Sequence, residues 1–126
     1  MKANPQVGTG WYIQGSVPSI EFLDCARVLK TDATACVPVR CFDRVLVTDE
    51  TSPLERGGGI QQKYHAPGVG IVQVAAIGGT EGETLQLVER RKLTAKELAT
   101  ARASALALER RAYRTNPIYQ QTEAAT

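Results

Sequence analysis

The segment from Tyr64 to Val72 constrains the fold of this chain more than any other part of the sequence. It contains the tetrapeptide Ala66-Pro67-Gly68-Val69, with a polar run before it and an apolar run after it. Proline sets φ near −65° at the second position of a turn, and glycine supplies the positive φ that the third position of a type II turn requires. Two strands joined so closely pair antiparallel, so this segment predicts a β-hairpin.

Further runs of alternating or β-branched residues predict more strands. Phe42 to Thr48 is rich in β-branched residues, which favours a strand. Ile20 to Lys30 has apolar residues with a period of two, which favours a strand over the alternative of a helix. The predicted extended segments are Trp11–Pro18, Ile20–Lys30, Thr34–Val37, Phe42–Thr48, Ile60–His65, Val69–Ile77 and Thr84–Glu89. The connections are short, which predicts a meander of about six antiparallel strands in a curved, half-barrel-like sheet.

The C-terminal quarter of the chain has helical character. Thr94-Ala95-Lys96-Glu97 is a capping box, and Asn116-Pro117 ends the run of helix-favouring residues that follows. The fold class is therefore α+β, with one long C-terminal helix. We expect a single domain over residues 1–115, with the meander at 10–90 and the helix at 94–114, and a disordered polar tail at 116–126.

Length and composition exclude several classes of protein. The 126 residues suit one domain, and 43% apolar and 22% charged residues are ordinary for a globular protein. A net charge of +2 does not imply a nucleic-acid or membrane partner, and glutamates interleave with the basic clusters at 90–92 and 110–114. No apolar run approaches the roughly 18 residues of a membrane span. We expect no nucleic-acid partner and no membrane span.

The three cysteines, Cys25, Cys36 and Cys41, lack the Cys-x-x-Cys spacing of metal and redox sites. No apolar segment of a signal peptide follows the first residues, so we expect a cytoplasmic location. Three reduced thiols are the corresponding prediction, because disulfides persist mainly outside the cytosol. A bridge between Cys36 and Cys41 across a turn at Pro38 stays open as the alternative.

Three parts of the chain resemble a known group of proteins. The segments Pro38 to Glu55, Lys63 to Val72 and Glu83 to Val88 are similar to the C-terminal half of uncharacterised bacterial secreted or lipoprotein-type β-proteins, which carry a motif close to "YYAPGVGLV". The similarity covers about residues 3–89. It implies an antiparallel β-architecture and an extracytoplasmic location, and it supplies no catalytic residue. The family's Pro-x-Gly turn reads Pro38-Val39-Arg40 here, so we expect that turn to be built differently.

Aromatic residues are the candidate ligand-binding residues. A curved sheet often encloses a cavity for a small apolar ligand, and the aromatic side chains of the predicted strands could line one. Packing in an ordinary core predicts the same residues, so both interpretations stay open. The candidates are Trp11, Tyr12, Phe22, Phe42 and Tyr64. We therefore expect a binding module that holds a small apolar ligand or a partner segment on the concave face of the sheet, without a cofactor.

Catalysis is the second hypothesis. His65 is the only histidine, which excludes a multi-histidine metal site, and we expect no metal site. With Asp43 or Asp49 it could form the acid–base pair of a small hydrolase or isomerase. A surface position on a strand is the simpler interpretation of His65, so we expect no enzyme. A purely structural assembly subunit is the third hypothesis.

The predicted helix also indicates self-association. Its apolar residues recur at spacings of three and four and form a narrow stripe, consisting of Leu98, Ala101, Ala105, Leu108 and Ala112. A half-barrel leaves unpaired edge strands, which need a cover or a partner. These two features predict a homodimer with the helix and one edge strand in its interface.

Overall fold

The computed structural model of the chain describes residues 2–80 and 82–123. It divides into two compact units, Met1–Arg90 with the sheet and Arg91–Thr126 with the helix. Across the described residues, no helix is long and apolar enough to cross a membrane. The single domain expected over residues 1–115 stays a prediction.

The first unit is one sheet of six antiparallel strands, hydrogen-bonded in chain order from β1 to β6. The strands are β1 Tyr12–Val17, β2 Phe22–Val37, β3 Arg40–Thr51, β4 Ile60–Ala66, β5 Gly70–Ile77 and β6 Leu85–Gln86. The α+β class and the antiparallel meander predicted from the sequence are confirmed, and the sheet is not closed into a barrel.

Strand β2 joins two predicted segments into one strand of 16 residues. Its register against β3 shifts at three places, between Val28 and Ala35. Such bulges add residues to one strand and let a long ladder bend without ending it. A short 3₁₀ turn, Pro18–Ile20, precedes β2, so the strand that was predicted to begin at Ile20 begins at Phe22.

The hairpin between β4 and β5 has the predicted turn. Gly68 has a φ of 67°, and the amide of Val69 donates to the carbonyl oxygen of Ala66 at 3.1 Å. The restricted φ of Pro67 and the tolerance of glycine for positive φ were sufficient to place this reversal.

The sheet curls around an apolar core at one end. β2 contacts β5 although two strands lie between them. The amide of Val39, in the turn between β2 and β3, donates to the carbonyl oxygen of Leu87, just after β6, at 3.4 Å. The buried side chains on the enclosed face, here called the core face, are Ala35, Val37, Phe42, Val45, Val47, Ala66 and Val72. Their removal from water stabilises the curled end of the sheet.

Cys36 and Cys41 form a disulfide between β2 and β3, directly opposite each other. The prediction of three reduced thiols is therefore wrong. The strands continue up to the Pro38-Val39 turn on both sides, and this pairing brings the two cysteines together. Cys25 is free and buried.

The second unit contains the helix α1, Ala95–Thr115. The predicted capping box is present: the Thr94 side chain accepts from the Glu97 amide, and the Glu97 carboxylate accepts from the Thr94 amide. No residue of α1 is buried, and Leu98 and Leu108 of the predicted stripe are 59% and 66% exposed.

The tail was predicted to be disordered. Tyr119–Gln121 form a 3₁₀ turn, and the Tyr113 hydroxyl donates to the Thr122 carbonyl at 3.0 Å. Residues 124–126 of the predicted tail lie outside the described residues.

Candidate functional site

Strand β3 changes from apolar to polar without leaving the interior. After Val45 and Val47, the side chains of Thr48, Asp49 and Glu50 are only 1%, 2% and 5% exposed. Charged side chains are seldom buried so deeply unless they are paired, because removing a charge from water is costly. The polar end of β3 is therefore the part of the sheet whose chemistry needs explanation.

Glu50 has one partner for each carboxylate oxygen. Oε1 accepts from the Thr48 hydroxyl at 2.9 Å, and Oε2 lies 2.6 Å from Nζ of Lys63 on β4. The second contact is a close ion pair, and Oε2 is shielded from solvent. The register pairs Thr48 with Lys63 and Glu50 with Gln61, which places these four side chains on one face, here called the Glu50 face.

A cavity of about 280 Å³ opens beside Glu50. Its lining comes from the start of β2, the end of β3, the loop that follows β3, and β4. The side chains that give it chemical character are Glu21, Phe22, Asp24, Glu50, Glu55 and Lys63. We call it the polar cavity, because four carboxyl groups and one amine line it.

A second cavity of about 480 Å³, here called the apolar cavity, shares Glu21, Phe22 and Leu23 with the first. Pro18 and Leu54 form part of its lining, and Leu54 is 53% exposed. Phe22 lies over Gly15, where an added Cβ would come within 3.1 Å of the ring. The two cavities are therefore contiguous along Phe22, and one has a mostly acidic lining while the other has an apolar wall.

Close backbone packing holds one wall of the polar cavity. The Thr51 hydroxyl donates to the Gly59 carbonyl at 2.8 Å, and the Thr80 amide donates to the Gly57 carbonyl at 3.0 Å. A Cβ on Gly59 would lie 2.2 Å from the carbonyl oxygen of Gly78, so only glycine allows the two loops to approach this closely.

Asp49 belongs to the opposite face. Its carboxylate accepts from Nε and Nη2 of Arg27 at 3.0 and 2.8 Å, and from the Gln62 side chain at 3.0 Å. The Tyr64 hydroxyl donates to Gln62 at 3.2 Å. These contacts satisfy the buried carboxylate and explain its burial by pairing within the sheet.

His65 lies on the Glu50 face but forms no acid–base pair with the predicted partners. Its Nε2 is 3.4 Å from the Thr48 hydroxyl, a long contact. Because Thr48 donates its single hydroxyl hydrogen to Glu50, Nε2 must be the donor in this contact. Asp43 instead accepts from Thr34, and Asp49 lies on the other face, so the carboxylate linked to His65 through Thr48 is that of Glu50.

Burial lowers the pKa of His65 from its ordinary value of 6.5. The nearby Glu50 carboxylate opposes this change and the Lys63 ammonium adds to it. His65 lines neither the polar cavity nor the apolar cavity.

The five aromatic candidates do not line one cavity. Phe42 is buried in the core, and Tyr64 packs against it from the same face. The register places Tyr12 opposite Ala26 and Phe22 opposite Val17, on the Glu50 face. Trp11 is 44% exposed, and the Arg27 guanidinium lies 4.9 Å from the centre of its ring. Of the five, only Phe22 lines the polar and apolar cavities.

Sequence reasoning did not find Glu50 and Lys63 as a pair. They are 13 positions apart, and only the register of β3 against β4 brings them together. The one available signal in the sequence is the pair Asp49-Glu50, directly after the predicted strand Phe42–Thr48. In the described part of the chain, no group of three or more potential ligands is arranged to hold a metal ion.

The sequence and the structure were also compared with known proteins. No protein-family model, curated protein or solved structure matches this chain.

Proposed function

We propose that this protein is a small binding module that holds a small organic ligand in the contiguous polar and apolar cavities. The observation that carries the proposal is the buried ion pair of Glu50 and Lys63 at the wall of an open cavity that adjoins an apolar one. Burying a charged pair costs desolvation free energy, and a binding role at this cavity would explain why the pair is there. The apolar wall at Phe22, Leu23 and Leu54 supplies the surface that a small ligand needs for affinity.

Thermal-shift measurements with a panel of small apolar and amphipathic molecules test this proposal. A ligand that binds the native state and not the unfolded chain raises the melting temperature, and the rise grows with the logarithm of the ratio of ligand concentration to Kd. We expect Phe22→Ala to abolish the shift and Leu85→Ala to preserve it. The two side chains are both 46% exposed, but Leu85 lines a separate cavity beside β6. A panel without any shift, or an equal loss in the two variants, would contradict the proposal.

We also propose that the protein forms a homodimer through α1 and an edge strand. The exposed stripe on α1 and the unpaired outer edge of β1 support it, because exposed apolar surfaces and bare edges favour association. Ala105→Glu, within the stripe, should shift the sedimentation of the chain to that of a monomer. Ala103→Glu, on another side of the helix, should leave the dimer intact. A wild-type chain that sediments as a monomer at tens of micromolar would overturn this proposal.

The compartment is a further proposal. The resemblance of residues 3–89 to secreted bacterial β-proteins suggests a location outside the cytosol. The Cys36–Cys41 disulfide supports the same location, because disulfides persist mainly in oxidising compartments. Thiol titration of the protein isolated under denaturing, thiol-blocking conditions should find one reactive group, and three reactive groups would contradict both the pairing and the location.

A further inference from the structure

The Cys36–Cys41 disulfide lies on the outer surface of the β2–β3 hairpin. The neighbours of Cys36 in the chain, Ala35 and Val37, face the core, and so does Phe42 beside Cys41. Because side chains alternate between the two faces of a strand, both cysteine side chains lie on the opposite face. Both cysteines are exposed there. A thiol in solution therefore reaches the disulfide without entering the core.

The cross-link closes a short loop at the tip of the hairpin, because its cysteines are five positions apart in the chain. A bridge over so short a loop restricts the unfolded chain less than one over a long loop does. Breaking it should therefore loosen the tip and leave the rest of the sheet folded. Exposure also matters, because disulfides that are accessible to solvent are the labile and regulatory ones.

The hairpin tip covers one end of the apolar core. Val37 and Phe42 lie next to the cysteines and are 8% and 6% exposed. The amide of Val39 donates to the carbonyl oxygen of Leu87 at 3.4 Å, and Leu87 packs against the core. This hydrogen bond is long, so it depends on how firmly the tip is held in place. The disulfide holds the two strands together one residue from the core side chains that the tip covers.

We propose that the Cys36–Cys41 disulfide is a redox switch, and that a protein with a pair of reactive thiols, a protein dithiol, reduces it. A thiolate of the dithiol attacks one cysteine sulfur, forms a mixed disulfide with it and displaces the other cysteine as a thiolate. The second thiol of the dithiol then attacks the mixed disulfide and releases the chain. Two electrons and two protons pass to the cysteines, which become thiols, while the dithiol becomes a disulfide.

Reduction releases the tip from Leu87 and opens the end of the core at Phe42. The oxidised protein keeps this apolar surface covered, and the reduced protein presents it to solvent. The switch goes beyond the proposed ligand binding, because the polar and apolar cavities are lined by neither cysteine and by no residue of the tip. A failure of ligand binding therefore leaves the switch standing, and the reverse is also true.

Titration of the folded protein with dithiothreitol, a small dithiol, tests access to the disulfide. Alkylation and intact-mass measurement follow each step. We expect two thiols, those of Cys36 and Cys41, to become alkylated without denaturant, while the buried Cys25 reacts only after unfolding. A disulfide that resists dithiothreitol until the chain is denatured would overturn the proposal. Alkylation of all three cysteines together would also overturn it, because the chain would then unfold on reduction.

Amide hydrogen exchange of the oxidised and reduced wild type measures the opening of the tip. We expect amides at 37–42 and 85–88 to exchange at least about tenfold faster after reduction, because exchange reports local opening. Amides at 60–63 in the middle of the sheet should not change. Equal exchange in the two redox states would show that the bridge does not hold the tip, and the proposal would fail.

Two variants assign the response to the bridge. Cys36→Ser/Cys41→Ser should exchange as fast as the reduced wild type, with and without dithiothreitol. Cys25→Ser is the matched control, because it removes a cysteine and keeps the bridge, so it should respond to dithiothreitol as the wild type does. Slow exchange in the double variant would contradict the proposal. The two redox states of the wild type decide the question even if the double variant does not fold.

Discussion

The two halves of strand β3 bury side chains of opposite chemistry. From Phe42 to Val47 the inward side chains are apolar and pack in the curled end of the sheet, whereas Thr48, Asp49 and Glu50 carry polar groups into the interior. The apolar half gains stability directly from removal from water. In the polar half, burying charged groups costs desolvation free energy, and the attraction between the paired charges offsets only part of that cost. Folding alone explains the first half, and a binding role is our explanation for the Glu50 face of the second.

The largest expected effect is in the apolar half. Phe42→Ala should lower the free energy of unfolding by about 3–5 kcal/mol, because it leaves a cavity in a closed core. Phe22→Ala is the matched control, since Phe22 is 46% exposed while Phe42 is 6% exposed. Urea denaturation of both variants measures the difference. Similar losses of stability in the two variants would show that Phe42 contributes no more to the stability of the sheet than Phe22 does.

The ion pair of the polar half should behave as a unit. Lys63→Met leaves the Glu50 carboxylate buried without its cation. We expect the free energy of unfolding to fall by about 3 kcal/mol, the lower end of the usual range for a broken buried pair, because Lys63 is partly exposed. The double variant Lys63→Met/Glu50→Gln removes the charge and should recover most of this loss in the same denaturation assay. Additive losses in a double-mutant cycle would mean that the two side chains are not coupled.

The loop at the polar cavity provides the third test. Gly59 has a φ of 92° and no room for a Cβ against Gly78, so Gly59→Ala should destabilise the sheet by about 2 kcal/mol. Gly57→Ala is the matched control, because Gly57 has a similar φ of 87° but open space around it. Melting temperatures that fall equally would indicate that only φ matters and that the close approach of the two loops does not.

The smallest expected effect is the pH dependence of His65. Because burial lowers its pKa in the folded state, the unfolded chain binds the proton more tightly. The contribution is fully present above the unfolded pKa of about 6.5 and is lost as pH falls through the lower, folded pKa. Thermal melts from pH 7 to pH 5 should show falling stability in the wild type and a flatter profile in His65→Gln. An identical slope in both would assign the effect to other groups.

The parts of the structure that were predictable from the sequence have local causes. Pro67 and Gly68 place the β4–β5 turn through their own backbone preferences, and Thr94 with Glu97 places the start of α1 through contacts three residues apart. These features need no knowledge of the rest of the fold. The same is true of the alternation that correctly favoured a strand over a helix after Ile20.

The features that were missed depend on register. The disulfide requires Cys36 to lie opposite Cys41, and the buried ion pair requires β4 to align Lys63 beside Glu50. A shift of one residue would send every side chain of a strand to the other face, so such contacts cannot be inferred from spacing. The bulges of β2 add residues to the ladder without any sequence signal that we recognised.

Backbone amide chemical shifts test the central claim most directly. Titration of the isotope-labelled chain with the small molecule that gives the largest thermal shift should perturb amides at 21–24, 50–55 and 58–63, which surround the polar cavity, and leave those at 42–47 in the apolar half unchanged. Because both segments of β3 are buried, general unfolding or nonspecific association would move them together. Perturbations centred on 42–47, or spread equally over both halves, would contradict the claim that the polar end of β3 is a binding site.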